Sequence, residues 1–225
     1  MKQICLTAVC LYTLVSFANA QDNSSEAYLT WSESKAESIT KDMRESSKVG
    51  HFLDLRGIHT DHSVNYKMRA TWLTPEVIRA TARLVQLRNR LTDQQTRELV
   101  AEAESAGDTV FKVEIDPREG SGVIPEDWRS ILQHKDLKVG AEGAVSGVKS
   151  PKFQNIKALA GVLRRDYDWD VFWVAFPLVD KDKNPLFRAD VSQLQMIIGI
   201  YNSEGSLSWR VPESIRTKIK TLSQK

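Results

Sequence analysis

The chain has 225 residues, with 31 Lys and Arg against 29 Asp and Glu, a formal net charge of +2 and only two cysteines. That balance gives no overall pull toward nucleic acid or anionic membranes, and the length suffices for one domain of ordinary stability or two small ones. Both cysteines, Cys5 and Cys10, fall in the first ten residues. A disulfide framework is therefore excluded from the rest of the chain, which must be held together by its core.

The first twenty residues, MKQICLTAVCLYTLVSFANA, read as a secretory signal peptide. Lys2 supplies the positive end, Ile4 to Phe17 the apolar run, and Ala18-Asn19-Ala20 the small-residue cleavage site, so the mature chain is expected to begin at Gln21. Export to the periplasm or the extracellular space follows as an expectation. No later stretch approaches the roughly 18–20 apolar residues of a membrane helix.

Residues 21–50 are polar and read as an N-terminal segment with a helix near 32–48, ahead of a single α+β domain over 51–225. In SVNYKMRATWL, residues 63–73, Val64, Tyr66, Met68, Ala70 and Trp72 alternate with polar residues, the pattern of a half-buried strand. Thr74-Pro75 then opens a helix: threonine caps, and proline suits the first position because its missing N–H is not needed there. Val77, Ala80, Leu84, Leu87 and Leu91 form its apolar stripe, with Arg79, Arg83 and Arg90 on a solvated face. Thr92-Asp93-Gln94-Gln95 is a capping box that starts a second helix, and Gly107 stops it. Alternation resumes over 109–116. Pro125-Glu126-Asp127 suggests a short helix to about Gln133, and the glycines of 138–150 suggest a surface loop. Strands are expected near 158–164 and 166–178. A hairpin over 194–211 turns at 202–205, and a short basic helix follows Pro212.

DYDWDVFWVAFPL, residues 166–178, poses the main chemical question. As a strand, its odd positions are apolar throughout. Its even positions are Asp166, Asp168 and Asp170, then Phe172, Val174 and Phe176. Such a strand is buried on both faces over its second half, with the helical pair as the expected second cover. The aspartates mark where that cover ends, a solvated face that is also a candidate binding patch for a basic partner. Side chains at i and i+2 are about 6.6 Å apart along a strand, so three cannot share one ion whose ligands lie about 2.4 Å away. As an EF-hand loop from Asp166, the glycine position would hold Val171 and the final glutamate position Pro177.

His51, His59 and His62, with Asp54 and Asp61 among them, supply metal-ligand chemistry within twelve residues. Their spacing matches no zinc signature, and no HExxH is present. Ser-x-x-Lys occurs three times, at Ser32/Lys35, Ser38/Lys41 and Ser146/Lys149, without the SDN and KTG companions of penicillin-binding enzymes. No phosphate-binding loop, G-x-G-x-x-G or G-x-S-x-G is found. Trp72, Trp169 and Trp173 are expected in the core; Trp31, Trp128 and Trp209 are candidates for exposure.

The expectation is an α+β fold, a mainly antiparallel sheet or sandwich of six to eight short strands packed against a helical pair. The functional expectation is an exported, non-enzymatic binding or interaction protein with a protein, peptide or glycan ligand, no cofactor, no nucleic acid and no membrane span. The alternative is a metal-dependent hydrolase that uses His51, His59, His62 and Asp61.

Overall fold

A computed structural model describes residues 26–45, 48–49, 66–117, 124, 126–134, 144–160, 169–179, 185, 187–200 and 203–223. Within them the fold is α+β. Strands β1 (Lys48–Val49), β2 (Tyr66–Trp72), β3 (Val110–Pro117), β6 (Val148–Lys149) and β7 (Asp170–Ala175) form one sheet in the order β1-β2-β3-β7-β6. Strands β4 (Arg129–His134), β5 (Val145–Ser146), β8 (Gln193–Ile200) and β9 (Ser203–Arg210) form the second, in the order β5-β4-β8-β9. Every pairing is antiparallel.

The alternation of β2 decides which way each side chain points. Tyr66, Met68, Ala70 and Trp72 are buried in the main core together with Phe111, Val113 and Ile115 of β3. Leu132, Leu194, Met196, Ile198 and Leu207 meet them from the second sheet. The two sheets thus stack face to face as a sandwich. Trp72 stacks on Phe111 with ring centroids 5.3 Å apart, and Trp209 lies 5.0 Å from the same ring. Helix α5 (Glu213–Leu222) adds Ile215 and Ile219, one turn apart, to this core.

Helices α1 (Glu33–Glu45), α2 (Pro75–Asn89), α3 (Asp93–Glu104) and α4 (Lys157–Ala160) lie over the other face of the first sheet. Their termini follow the sequence closely. The Thr74 side chain accepts from the Val77 N–H with Pro75 in the first turn, and the Thr92–Gln95 capping box makes both of its bonds. Gly107, past the end of α3, has φ +115°, a conformation that favours glycine. The arginines of α2 are less free than a solvated face implies. Arg79 pairs with Glu104 at 3.0 Å, and Arg83 donates to the Trp31 carbonyl at 2.9 Å, which ties α2 to its neighbours. Leu87, expected in the apolar stripe, is exposed.

Strand β7 is buried on both faces as its sequence implies, but the covers differ from the expectation. Phe172, Val174 and Phe176 face the second sheet, whereas Val171 and Trp173 face the helices. Three other expectations need correction. Residues 129–134 form β4, not a helix, because Leu132 and Ser130 are buried in the sandwich. Lys157–Ala160 is helical where a strand was expected, with Ala158 and Leu159 buried under α2. The glycine-bearing stretch before Ser150 is no simple loop: β5 belongs to one sheet and β6 to the other, with only Gly147 between them. An added Cβ there would come within 3.0 Å of Ser130, Val174 and Phe176, so only glycine fits this sheet-to-sheet corner.

Candidate functional site

At the β6 edge of the first sheet lies a cleft of about 300 Å³. Three separated segments build it: Ile124, Glu126 and Trp128 ahead of β4, Lys149 to Gln154 leaving β6, and Val171 to Trp173 within β7. Ile124, Trp128, Pro151, Val171, Phe172 and Trp173 form apolar walls; Glu126, Lys149, Ser150 and Gln154 contribute polar groups. The volume is at the small end of ligand pockets, which share this pattern of apolar lining with a few polar groups.

Trp128 organises the cleft. It is 3% exposed, and its ring meets Phe172 edge-on at 5.1 Å between centroids. The Lys149 ammonium sits over the same ring, 4.5 Å from its centroid, and donates to the Glu126 carbonyl. Burial pushes the Lys149 amine below its ordinary value, and the Asp127 and Glu126 carboxylates oppose that shift. The Trp128 indole N–H is buried and has no acceptor among the described residues. A buried, unpaired N–H is costly, about 1–3 kcal/mol. A second hollow, about 420 Å³ along α3, is more open and carries Glu98, Glu102 and Lys157.

A separate charged cluster lies between the first sheet and α1. Glu114 is 2% exposed and accepts from Arg69 at 2.9 Å, with Arg44 of α1 at 3.5 Å. Burial would raise the Glu114 carboxyl; the Arg69 hydrogen bond and the Lys112 and Arg44 charges outweigh it and hold it below its usual range. Burial also lowers the Lys112 amine, which Glu114 only partly offsets. Arg69 in turn stacks on Trp169, 4.0 Å from the ring centroid. This cluster joins α1 to the sheet across the pair Arg69↔Glu114.

Of the residues singled out in the sequence, Asp170 is exposed at the start of β7, opposite Ile115 and one residue from the cleft wall. Asp166, Asp168, His51, Asp54, His59, Asp61 and His62 lie outside the described residues. The Ser32 of one Ser-x-x-Lys accepts from the Lys35 N–H at the start of α1, a helix-capping arrangement. Ser146 and Lys149 of another straddle the Gly147 corner. Trp128 and Trp209, expected as candidates for exposure, are both buried. Among the described residues no helix is long and apolar enough to cross a membrane.

No protein-family model and no curated protein matches the chain. A crystal structure of a protein of unknown function from Burkholderia pseudomallei aligns with 84% of this chain and 90% of its own, at 11% identity and a TM-score of 0.40.

Proposed function

We propose that this is an exported, non-enzymatic binding protein whose ligand site is the cleft beneath Trp128. The observation that carries the reading is the combination of an aromatic-walled cleft of about 300 Å³ with a buried, unpaired indole N–H and the Lys149 ammonium at its rim. Apolar walls supply affinity by removing ligand surface from water, and the two donors fix orientation. A ligand with an aromatic or branched apolar body and an anionic or carbonyl group suits this arrangement. Export is supported by the leader-like sequence of residues 1–20.

The test is a fluorescence titration with 1-anilinonaphthalene-8-sulfonate, an aromatic anion of suitable chemistry. The natural sequence should bind it saturably. Gln154 is exposed on the cleft rim, so Gln154→Trp should fill the cleft from outside and weaken binding at least about tenfold without altering the thermal melt. Equal binding by both proteins would place the dye elsewhere and remove the basis for this reading.

A further inference from the structure

We propose that the occupant of this cleft is an extended peptide that adds as a further strand to the edge of β7 beside Val171, which no described strand occupies, a proposal that rests on the cleft being the ligand site. Alternate residues of an antiparallel strand turn their N–H and C=O groups to opposite edges. Two bonds set the parity of β7: just past its end the Phe176 N–H donates to the Thr109 carbonyl, beside β3, at 3.0 Å, whereas within it the Trp173 carbonyl accepts from the Ser150 N–H, on the β6 side, at 2.8 Å. Val171, two residues before Trp173, therefore presents its N–H and C=O on the β6 side. β6 ends at Lys149, and Pro151 turns the chain away into the 3-10 turn Pro151–Asn155. Among the described residues no strand pairs with Asp170–Phe172 on that side.

The cleft lies across this edge. Its walls include Phe172, which faces the sandwich, and Val171 and Trp173, which face the helices. A ligand resting on one face of the sheet would meet residues of one parity alone; this cleft offers both. An added strand points successive side chains to opposite faces, so two neighbouring apolar residues would enter the two halves of the cleft. Backbone pairing supplies affinity and the two half-pockets supply selectivity, as in other strand-addition complexes. Lys149 stands where β6 stops, at one end of the row that no described strand pairs with. The partner is accordingly a peptide with apolar residues at adjacent positions and a carboxylate at the end nearest Ser150.

The probe is the N-acetylated peptide Thr-Val-Phe-Val-Asp with a free carboxylate, together with two forms N-methylated at alternate amides, one set each. The parent peptide should bind and displace anilinonaphthalene sulfonate. One methylated form should lose at least about tenfold in affinity, because its edge-facing N–H groups are gone, while the other stays within about threefold of the parent. Val171→Pro, which removes the strand's own outward N–H, should weaken the parent peptide at least about tenfold, and Lys149→Gln should weaken it less. The methylated pair keeps the question decidable on the unaltered protein should the proline variant fail to fold. Equal binding of both methylated forms, or dye binding that the peptide does not displace, overturns strand addition and leaves the cleft reading standing. Binding of neither dye nor peptide overturns both.

Discussion

Gly147→Ala tests how the two sheets are joined, because two opposing effects give opposite signs. Gly147 has no positive φ, so alanine can adopt its backbone, and replacing glycine there would ordinarily stabilise by about 0.4–1 kcal/mol through the unfolded state. Against that, the new methyl would meet Ser130 of β4 and Val174 of β7, one from each sheet, and the ring of Phe176, all closer than 3.0 Å. All three are buried, Val174 at 0% exposure, and none is the free end of a long side chain that can swing away. Overpacking of this kind costs about 1–3 kcal/mol. The expected net loss is about 1–2 kcal/mol, a fall in Tm of roughly 2–8 °C for a chain of this size. Gly199→Ala on β8 is the control, since nothing lies within 4 Å of its added methyl. Urea melts followed by circular dichroism should show the first variant destabilised and the second within about 0.5 kcal/mol of the parent. A neutral or stabilising Gly147→Ala would refute the single-residue corner between the sheets.

Trp173→Ala removes a buried ring between β7 and the helices, along with its N–H contact to the Leu159 carbonyl, and should cost about 3–5 kcal/mol in denaturant melts; a loss under about 1 kcal/mol would contradict the two-sided burial of β7. Glu114→Gln leaves Arg69 buried without its carboxylate and should cost about 3 kcal/mol, the low end for a broken buried pair because Arg44 is partly exposed and can turn to water. Because the folded carboxyl lies below its ordinary value of 4.5, its stabilisation is complete above that value and is lost as pH falls through the folded one. The gap between parent and variant should therefore narrow only in acid; a gap that stays constant down to about pH 2 would show that the charge is not what matters. Mass spectrometry of protein recovered outside the cytoplasm should give a chain beginning at Gln21 and free of thiols, and a product retaining Cys5 or Cys10 would count against export by this leader.

What could be read from the sequence was local. Thr74-Pro75 and Thr92 to Gln95 specify helix starts by hydrogen bonds that reach three residues along the chain, and the alternation in β2 specifies a strand by its own period. The misread segments are those where distant partners decide. Pro125-Glu126-Asp127 has the look of a helix start, yet Ser130 and Leu132 are pulled into the sandwich beside β8. Gly147 reads as one more loop glycine, and its true constraint comes from Val174 and Phe176, nearly thirty residues away. The cleft had no linear signal at all. Its walls come from three segments, and Lys149 stood out in the sequence only within a Ser-x-x-Lys that the fold does not use as such. Within DYDWDVFWVAFPL the strand is Asp170–Ala175, buried on both faces over its second half, while 166–168 lie outside the described residues; that one of its edges borders a cleft depends on where β6 stops.

The most direct measurement of the central claim is the indole region of a proton–nitrogen NMR spectrum during titration with aromatic carboxylates. Six tryptophans give six indole signals, and Trp128→Phe identifies the one that matters. A ligand in the cleft should shift the Trp128 N–H saturably and downfield, as a buried donor without a partner gains an acceptor, while Trp72 and Trp209 in the sandwich interior hold still. Saturable binding that moves other indoles and leaves Trp128 unchanged would contradict the assignment of the cleft as the binding site.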